Sequence, residues 1–448
     1  MNKVLLKDIA VSQTGPFGSQ LHEKDYVEIG TPIVTVEHLG ETGFTRQNLP
    51  FVSEEDTKRL TKYSLKEGDI VFSRVGSVDR NTYVSKNENG WLFSGRCIRV
   101  RINNNKVNPK FISYYFRQKN FKEMMLNISV GATMPSLNTS LMDNIPLNIP
   151  ELHTQQKIAS VLSALDDKIE LNNKINTELE QMTKMLYDYW FVQFDFPNEE
   201  GKPYKFSGGK MVYNEVLKRE IPKDWGVKHF DGLVTFTRGI SYTSSTVNDV
   251  SGVPMINLKS FNLNGTYRSD GIKYFTGKVN ESKIISKGDL LIAITDVTRE
   301  AEIIGRAISI PEFNVDAVCS CDVARVDILN GSFQKNYLRF LFNSAHYHNY
   351  IKHFASGTLV LHLDLNGILW YKDIIPPIDL QEKFQSFSAN IEDKIQANHK
   401  QNQELASLRD WLLPMLMNGQ VKVSDGHKMV EETLGMVAEG QVNYNRKT

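Results

Sequence analysis

The chain has 448 residues, 41% hydrophobic and 23% charged, which is ordinary globular composition and long enough for two or more cores. Its 52 basic and 52 acidic residues cancel, so any nucleic-acid partner has to be held by local patches or with another subunit's help rather than by a general basic field. No apolar run reaches the roughly 18 residues of a membrane span, no signal peptide is seen, and the three cysteines fit a reducing compartment, so a cytoplasmic protein is expected.

In chain order, short β-branched and aromatic runs at 32–37, 69–75 and 97–102 read as strands, with a Gly-Asp turn at 66–69. The segment 109–127 follows, with Phe111, Tyr114, Tyr115 and Phe121 spaced for one face of a helix, and together these predict an α+β domain over 1–150. Residues 151–190 predict one long helix. A heptad frame sets Ile158, Leu165, Asn172, Leu179 and Leu186 at one seam position and Val161, Lys168, Ile175 and Met182 at the other. Leu162 and Ile169 widen that stripe, so the helix is expected to touch its own globular domain as well. Glu170, Lys174, Glu178 and Lys184 lie opposite the seam, where a solvated face and a partner surface read alike. Residues 191–221 form a linker too aromatic, with Phe191, Phe194, Phe196 and Tyr204, to be purely flexible, and they are expected to pack along the helices.

A second α+β domain is predicted over 222–376, with strands at 254–258, 289–294 and 324–328 and an aromatic helix at 334–354. Cys319 and Cys321, in a strand-like run without further ligands at metal spacing, read as buried structural residues. A second long helix is predicted over 377–418, with Phe384, Ile391, Asn398, Leu405 and Leu412 in the same seam frame. Past Gly419 the polar stretch 419–448 loses periodicity and reads as a tail, or as a short helix that orders on assembly.

The two halves are copies. Residues 149–179 return as 375–405 at a constant offset of 226, so that Pro150, Gln155, Lys157, Asp167, Asn172, Asn176 and Leu179 fall on Pro376, Gln381, Lys383, Asp393, Asn398, Asn402 and Leu405. Upstream the likeness is weaker and gapped: Gly30 and Pro32 fall on Gly252 and Pro254, Gly68-Asp69 on Gly288-Asp289, and Gly131 on Gly357. A repeat of this length is a duplicated domain plus helix rather than a solenoid. The fold expected is therefore α+β: two similar globular domains separated by two long helices that form an antiparallel coiled coil about a pseudo-twofold axis. A helix of this length spans roughly 55 Å at 1.5 Å per residue and acts as a spacer. Asn172 and Asn398 occupy equivalent seam positions, where polar residues fix register; they either meet near the middle or face solvent at the edge of the stripe.

No catalytic constellation stands out. Methyltransferase and nucleotide-loop motifs are missing, and 271–279 carries Val279 where a phosphate loop needs Ser or Thr. His346 and His348 lack metal spacing, and Asp296, Glu300 and Glu302 lack the lysine of a nuclease site, so no catalytic or metal role is expected of this chain.

The paired segments 149–179 and 375–405, the run Gly15-Pro16-Phe17-Gly18-Ser19, the turns at Lys66 and Lys287, and Ile221-Pro222-Lys223-Asp224-Trp225 together resemble the specificity subunits of type I restriction-modification enzymes, over residues 1–420. The resemblance implies two target-recognition domains, each reading half of a bipartite asymmetric DNA sequence, and two conserved helices that dock two modification (methyltransferase) subunits. It implies catalysis by partners: modification subunits using S-adenosylmethionine and, where present, two restriction subunits driven by ATP and magnesium, with no cofactor on this chain. Base contacts are then expected from Phe17, Ser19 and Gln20, from Arg74, Ser77 and Arg80, and from Thr133, Ser136 and Asn138 in the first half. In the second half they are expected from Arg238, Ser241 and Tyr242, from Thr295, Asp296, Thr298 and Arg299, and from Thr358 and His362. The alternative reading is a coiled-coil scaffold with two protein-binding heads, for which duplication and heptads would look the same.

Overall fold

In the computed structural model, which describes residues 2–444 apart from Phe17, Ser19 and Ala132, the chain forms two compact units. One comprises residues 1–173 and 400–448 and the other 174–399, so the boundary cuts both long helices, Leu152–Tyr187 and Ile378–Met417.

The first unit is built on an antiparallel sheet in the order Ala10–Thr14, Cys97–Ile102, Ile70–Ser73, Asn81–Tyr83. A smaller sheet runs Tyr26–Val27, Phe51–Val52, Thr31–Val34, Leu92–Phe93, its last pair parallel. The second unit repeats both. Its main sheet is Val234–Arg238, Val323–Ile328, Leu290–Ala293, Ala307–Ser309, and its second contains the same parallel pair, Val253–Ile256 with Ala317–Cys319. The turns before Ile70 and Leu290 are also alike: Gly68 and Gly288 have φ of 92° and 77°, and Asp69 and Asp289 accept from the backbone of Lys66 and Ser286.

The aromatic segments are each two helices, not one. Pro109–Arg117 gives way to Lys119–Ile128 at Gln118, whose extended ψ of 140° breaks the ladder, and Lys335–Phe342 gives way to Ala345–Ile351 where Ser344 caps the second helix. Phe111, Tyr114 and Phe121 are buried against the first sheet and the long helix. One glutamine in each copy locks this arrangement. Gln155 accepts from the backbone of Asn108 (2.9 Å) and donates to Pro150 O (2.8 Å), while Gln381 accepts from Gln334 (3.0 Å) and donates to Pro376 O (2.9 Å).

Within each unit the helix segments run antiparallel. In the first, Asp166 faces Arg409, and Asn172 donates to Gln401 (2.6 Å) and Asn402 (2.8 Å). In the second, Asn398 donates to Asn176 (2.7 Å) and Tyr187 packs on Phe384. Asn172 and Asn398 are both buried, so neither faces solvent at the edge of the stripe. Each bonds the other helix's next asparagine instead, so 172 with 402 and 398 with 176 are one contact made twice under the 226-residue offset. The seam also drifts. Asn176 and Thr183 are buried where the heptad frame puts Ile175 and Met182, and Met182 is 42% exposed. A straight helix of 3.6 residues per turn moves its buried stripe around relative to a strict 3.5 repeat.

Residues 191–221 pack on the second long helix through Phe191, whose ring lies 5.4 Å from Phe384. They form a π-helical turn (Asp188–Val192) and a hairpin (Met211–Asn214 with Arg219–Pro222), and Phe194 and Phe196 pack on Trp225 with ring centroids 5.4 and 5.1 Å apart. Of the two readings of the last stretch, the helix is the one found: Val423–Tyr444 is helical and buries Val430 in the core of the first unit beside Leu412 and Leu416. The apolar positions Val423, Val430 and Leu434 lie seven and four residues apart, a helical face that the polar composition of the stretch hides.

Candidate nucleic-acid interface

In the first unit the turn at residues 94–96, entering the strand Cys97–Ile102, is the point at which the loops expected to read DNA converge. Gly15, after the strand Ala10–Thr14, donates to Cys97 O at 3.2 Å, and a Cβ on it would sit 2.1 Å from Ser94 O, so only glycine lets the two backbones pass this closely. Arg74, after the strand Ile70–Ser73, donates from its backbone to Arg96 O and from Nη1 to Gly95 O, both at 2.8 Å. The carbonyl of Arg74 then accepts from Leu137 (2.8 Å), Gly76 donates to Pro135 O (2.8 Å), and Ser136 closes a small hairpin with Val130 (3.0 and 2.8 Å). Gly131 opens that hairpin at φ 111°.

The second unit makes the same bonds with other side chains. A Cβ on Gly239 would meet Cys319 O and Ser320 O at 2.2 Å, and Ile240 donates to Cys319 O at 2.8 Å. Ile294 donates to Asp322 O (3.0 Å) and accepts from Leu363 (2.9 Å), and Thr295 and Ser356 both pair with His362 in a small sheet opened by Gly357 at φ 139°.

The expected contact residues divide into those that hold the loops and those that face outward. Gln20 accepts from the Tyr63 hydroxyl (2.7 Å), Asn138 caps a short helix through Leu141 N (2.9 Å), and the Ser136 hydroxyl is spent on Val130 O (3.0 Å). Thr295 and Asp296 are buried, which corrects their expected role as base readers. The Thr295 hydroxyl donates to Asp322 (3.1 Å), and Asp296 accepts from Thr298 N (2.7 Å) and Ile303 N (2.8 Å), folding the loop over itself. Thr298 is half-buried and accepts from Glu302 N at 3.2 Å. Arg80, Thr133, Arg238, Ser241, Tyr242, Arg299, Thr358 and His362 are exposed, and Ser77 is half-exposed. Phe17 and Ser19 lie outside the described residues.

Arg96 and Asp322 escape a search by loop composition, yet each stands at the centre of its convergence. Their signal is the repeat itself, since Ser94-Gly95-Arg96 falls on Ser320-Cys321-Asp322 at the same offset of 226. The Tyr242 phenol is pushed up by partial burial and by the neighbouring Asp322 and Cys321. Burial pushes the Cys97 and Cys319 thiols up to about 12. Cys321, expected to be buried, is exposed in the turn. Among the described residues no group of three or more His, Cys, Asp or Glu side chains could hold a metal ion, and no helix is long and apolar enough to cross a membrane.

A family model described as the type I restriction modification DNA specificity domain matches residues 1–181, the first copy of the repeat with most of its long helix. The MjaIX specificity subunit of Methanocaldococcus jannaschii, a type I restriction enzyme subunit, is 28% identical over 384 residues, covering 84% of this chain and 82% of that one. The chain is similar to type I restriction enzyme specificity subunits along most of its length. The HindI specificity subunit of Haemophilus influenzae is similar at 24% identity over 82% of this chain and 89% of its own length. The solved S subunit from M. genitalium shares the fold, with a TM-score of 0.55 at 14% identity over 93% of this chain and 95% of that one.

Proposed function

We propose that this chain is a type I specificity subunit, binding a bipartite, asymmetric DNA sequence, each unit reading one part, and docking modification subunits through the exposed faces of its long helices. The observation that carries the reading is that the two units use the same backbone bonds to gather the same three loops around one turn, while the outward side chains differ. A constant scaffold with divergent loop tips suits a protein that reads two unrelated short sequences, because loop side chains contact base edges while the scaffold fixes their register. The balanced formal charge agrees with partners supplying much of the phosphate contact. Glu170, Lys174, Glu178 and Lys184 are exposed along the first long helix and offer a charged docking face. Catalysis then belongs to two modification subunits with S-adenosylmethionine and, where present, two restriction subunits with ATP and magnesium, all working in the cytoplasm.

Long-read methylome sequencing of cells carrying the modification subunit, with and without this chain, tests the reading. A new methyladenine motif in two parts with a fixed gap is expected only when this chain is present. An assembled, active complex that adds no such motif would favour the scaffold with two protein-binding heads.

A further inference from the structure

At the end of the shared turn the two convergences carry opposite charge: Arg96 in the first unit, Asp322 in the second. Both backbones are held identically, since Arg96 O accepts from Arg74 N at 2.8 Å and Asp322 O accepts from Ile294 N at 3.0 Å. The side chains therefore leave the same place in the same fold, with all three loops of their own unit around them. Arg96 is exposed, and Asp322 is half-exposed.

A carboxylate at this point is unexpected on a DNA-facing surface. Phosphates repel it, so a side chain there for phosphate binding would be Lys or Arg. Asp322 accepts from the Thr295 hydroxyl at 3.1 Å through one oxygen and from the Ser320 hydroxyl at 3.4 Å through the other. These neighbours aim the carboxylate without neutralising its charge. Each carboxylate oxygen carries two acceptor sites, so capacity remains for a donor from outside. In the major groove the donors are the exocyclic amino groups of cytosine and adenine, and Asp or Glu accepting from cytosine N4 is a recurrent pairing. Arginine at the equivalent place favours the opposite pattern, the paired acceptors O6 and N7 of guanine.

We propose that residue 96/322 is a specificity-determining position: Asp322 accepts from an amino-bearing base, cytosine first, in one half of the target, and Arg96 donates to guanine in the other. The inference rests on the DNA-specificity reading above. The test uses the complete assembly with its modification subunit and compares the wild-type chain with Asp322→Asn and Arg96→Gln by methylome sequencing and by competition binding on duplexes substituted one base pair at a time. Asparagine keeps an oxygen for Thr295 and replaces the other with a donor. Asp322→Asn should relax or change one position of one half-sequence, lowering discrimination there on the order of tenfold to hundredfold, with the other half untouched. Arg96→Gln should do the reciprocal, at a guanine in the other half. An unchanged motif with Asp322→Asn, or equal weakening on every duplex, would overturn the proposal. A wild-type assembly that selects no two-part motif would sink the specificity reading itself, and that result precedes any comparison of variants.

Discussion

Asp166 is the residue on which most of the first unit's polar packing turns. Its carboxylate, 8% exposed, accepts from the Tyr114 hydroxyl (2.7 Å), from Arg117 Nη1 (2.9 Å) and from Arg409 Nη1 (2.9 Å), and so joins the globular domain and both long-helix segments of that unit. Burial pushes this carboxyl up, but the Arg117 and Arg409 guanidiniums and the Tyr114 hydrogen bond outweigh it and hold the group below the ordinary carboxylate range. Removing one partner of a buried ion pair strands the other charges, so Asp166→Ala should cost the first unit about 3–5 kcal/mol. Urea unfolding followed by a probe in the first unit would show it. The pH dependence has a fixed sign. The folded value lies below the unfolded value of about 3.9, so the contribution is complete above that pH and is lost as pH falls through the folded value. The wild-type advantage over Asp166→Ala should therefore hold at neutral pH and shrink only in strong acid. Sequence reading passes over this residue because its partners are 49 and 243 positions away, and the matching position in the repeat is Glu392, paired with Arg339 instead.

Among the elements, the small hairpin opened by Gly131 in one unit and Gly357 in the other is the most exacting. At φ 111° and 139°, and with an added Cβ 2.6 Å from Met134 O and 2.0 Å from Val360 O, neither position accepts a side chain without opening the turn. The hairpin lies over the loop after the third main-sheet strand and not in a core, so the damage should stay local. Gly131→Ala should weaken recognition of one half-sequence and Gly357→Ala the other, each with an unchanged unfolding midpoint to within a degree or two. Competition binding on half-substituted duplexes alongside calorimetry measures both, and a large fall in the midpoint would mean that the hairpin is structural. These glycines are legible from sequence because the duplication marks them twice, and the strands and long helices follow from periodicity in the same way. The helix seam is legible only at its ends. Phe384, Leu405 and Leu412 are buried as the heptad requires, whereas the middle is packed by Asn172, Asn176, Thr183 and Asn398, whose burial depends on a partner helix that the sequence does not order in space. The bonds are not even fully symmetric: Asn402 donates to Asn173 at 2.8 Å, but His399 stands where the second copy needs that asparagine, and the Asn176 amide nitrogen has no hydrogen-bond partner.

Across the whole molecule, the first unit is closed by the end of the chain. Residues 400–448 belong with residues 1–173, whereas the second unit is the unbroken stretch 174–399. Leu405, Leu412, Leu413, Leu416 and Met417 enter the first core from the second long helix, and Val430 joins them from the helix Val423–Tyr444, with Val421, Val423 and Leu434 packed at its margin. That helix turns back at Gly419, whose φ of 70° suits glycine, and Gly426 lies against Leu416, where a Cβ would be 3.2 Å from the leucine side chain. Truncation after Asn418 should therefore act on a domain nearly 300 residues earlier in the sequence. Exposing Val430 and half-uncovering its neighbours costs roughly 2–4 kcal/mol at the usual 25 cal/mol per Å² of apolar surface, all of it from the first unit. The second unit's core, centred on Phe230, Tyr337, Phe342, Tyr347 and Phe384, contains none of the described residues of this segment. Calorimetry of the truncated chain should show one transition moved down and one left in place, and under the proposed function the half-sequence read by residues 1–150 should be lost first on warming. A uniform downward shift of both transitions would mean that the units unfold together and that the final helix supports the entire chain.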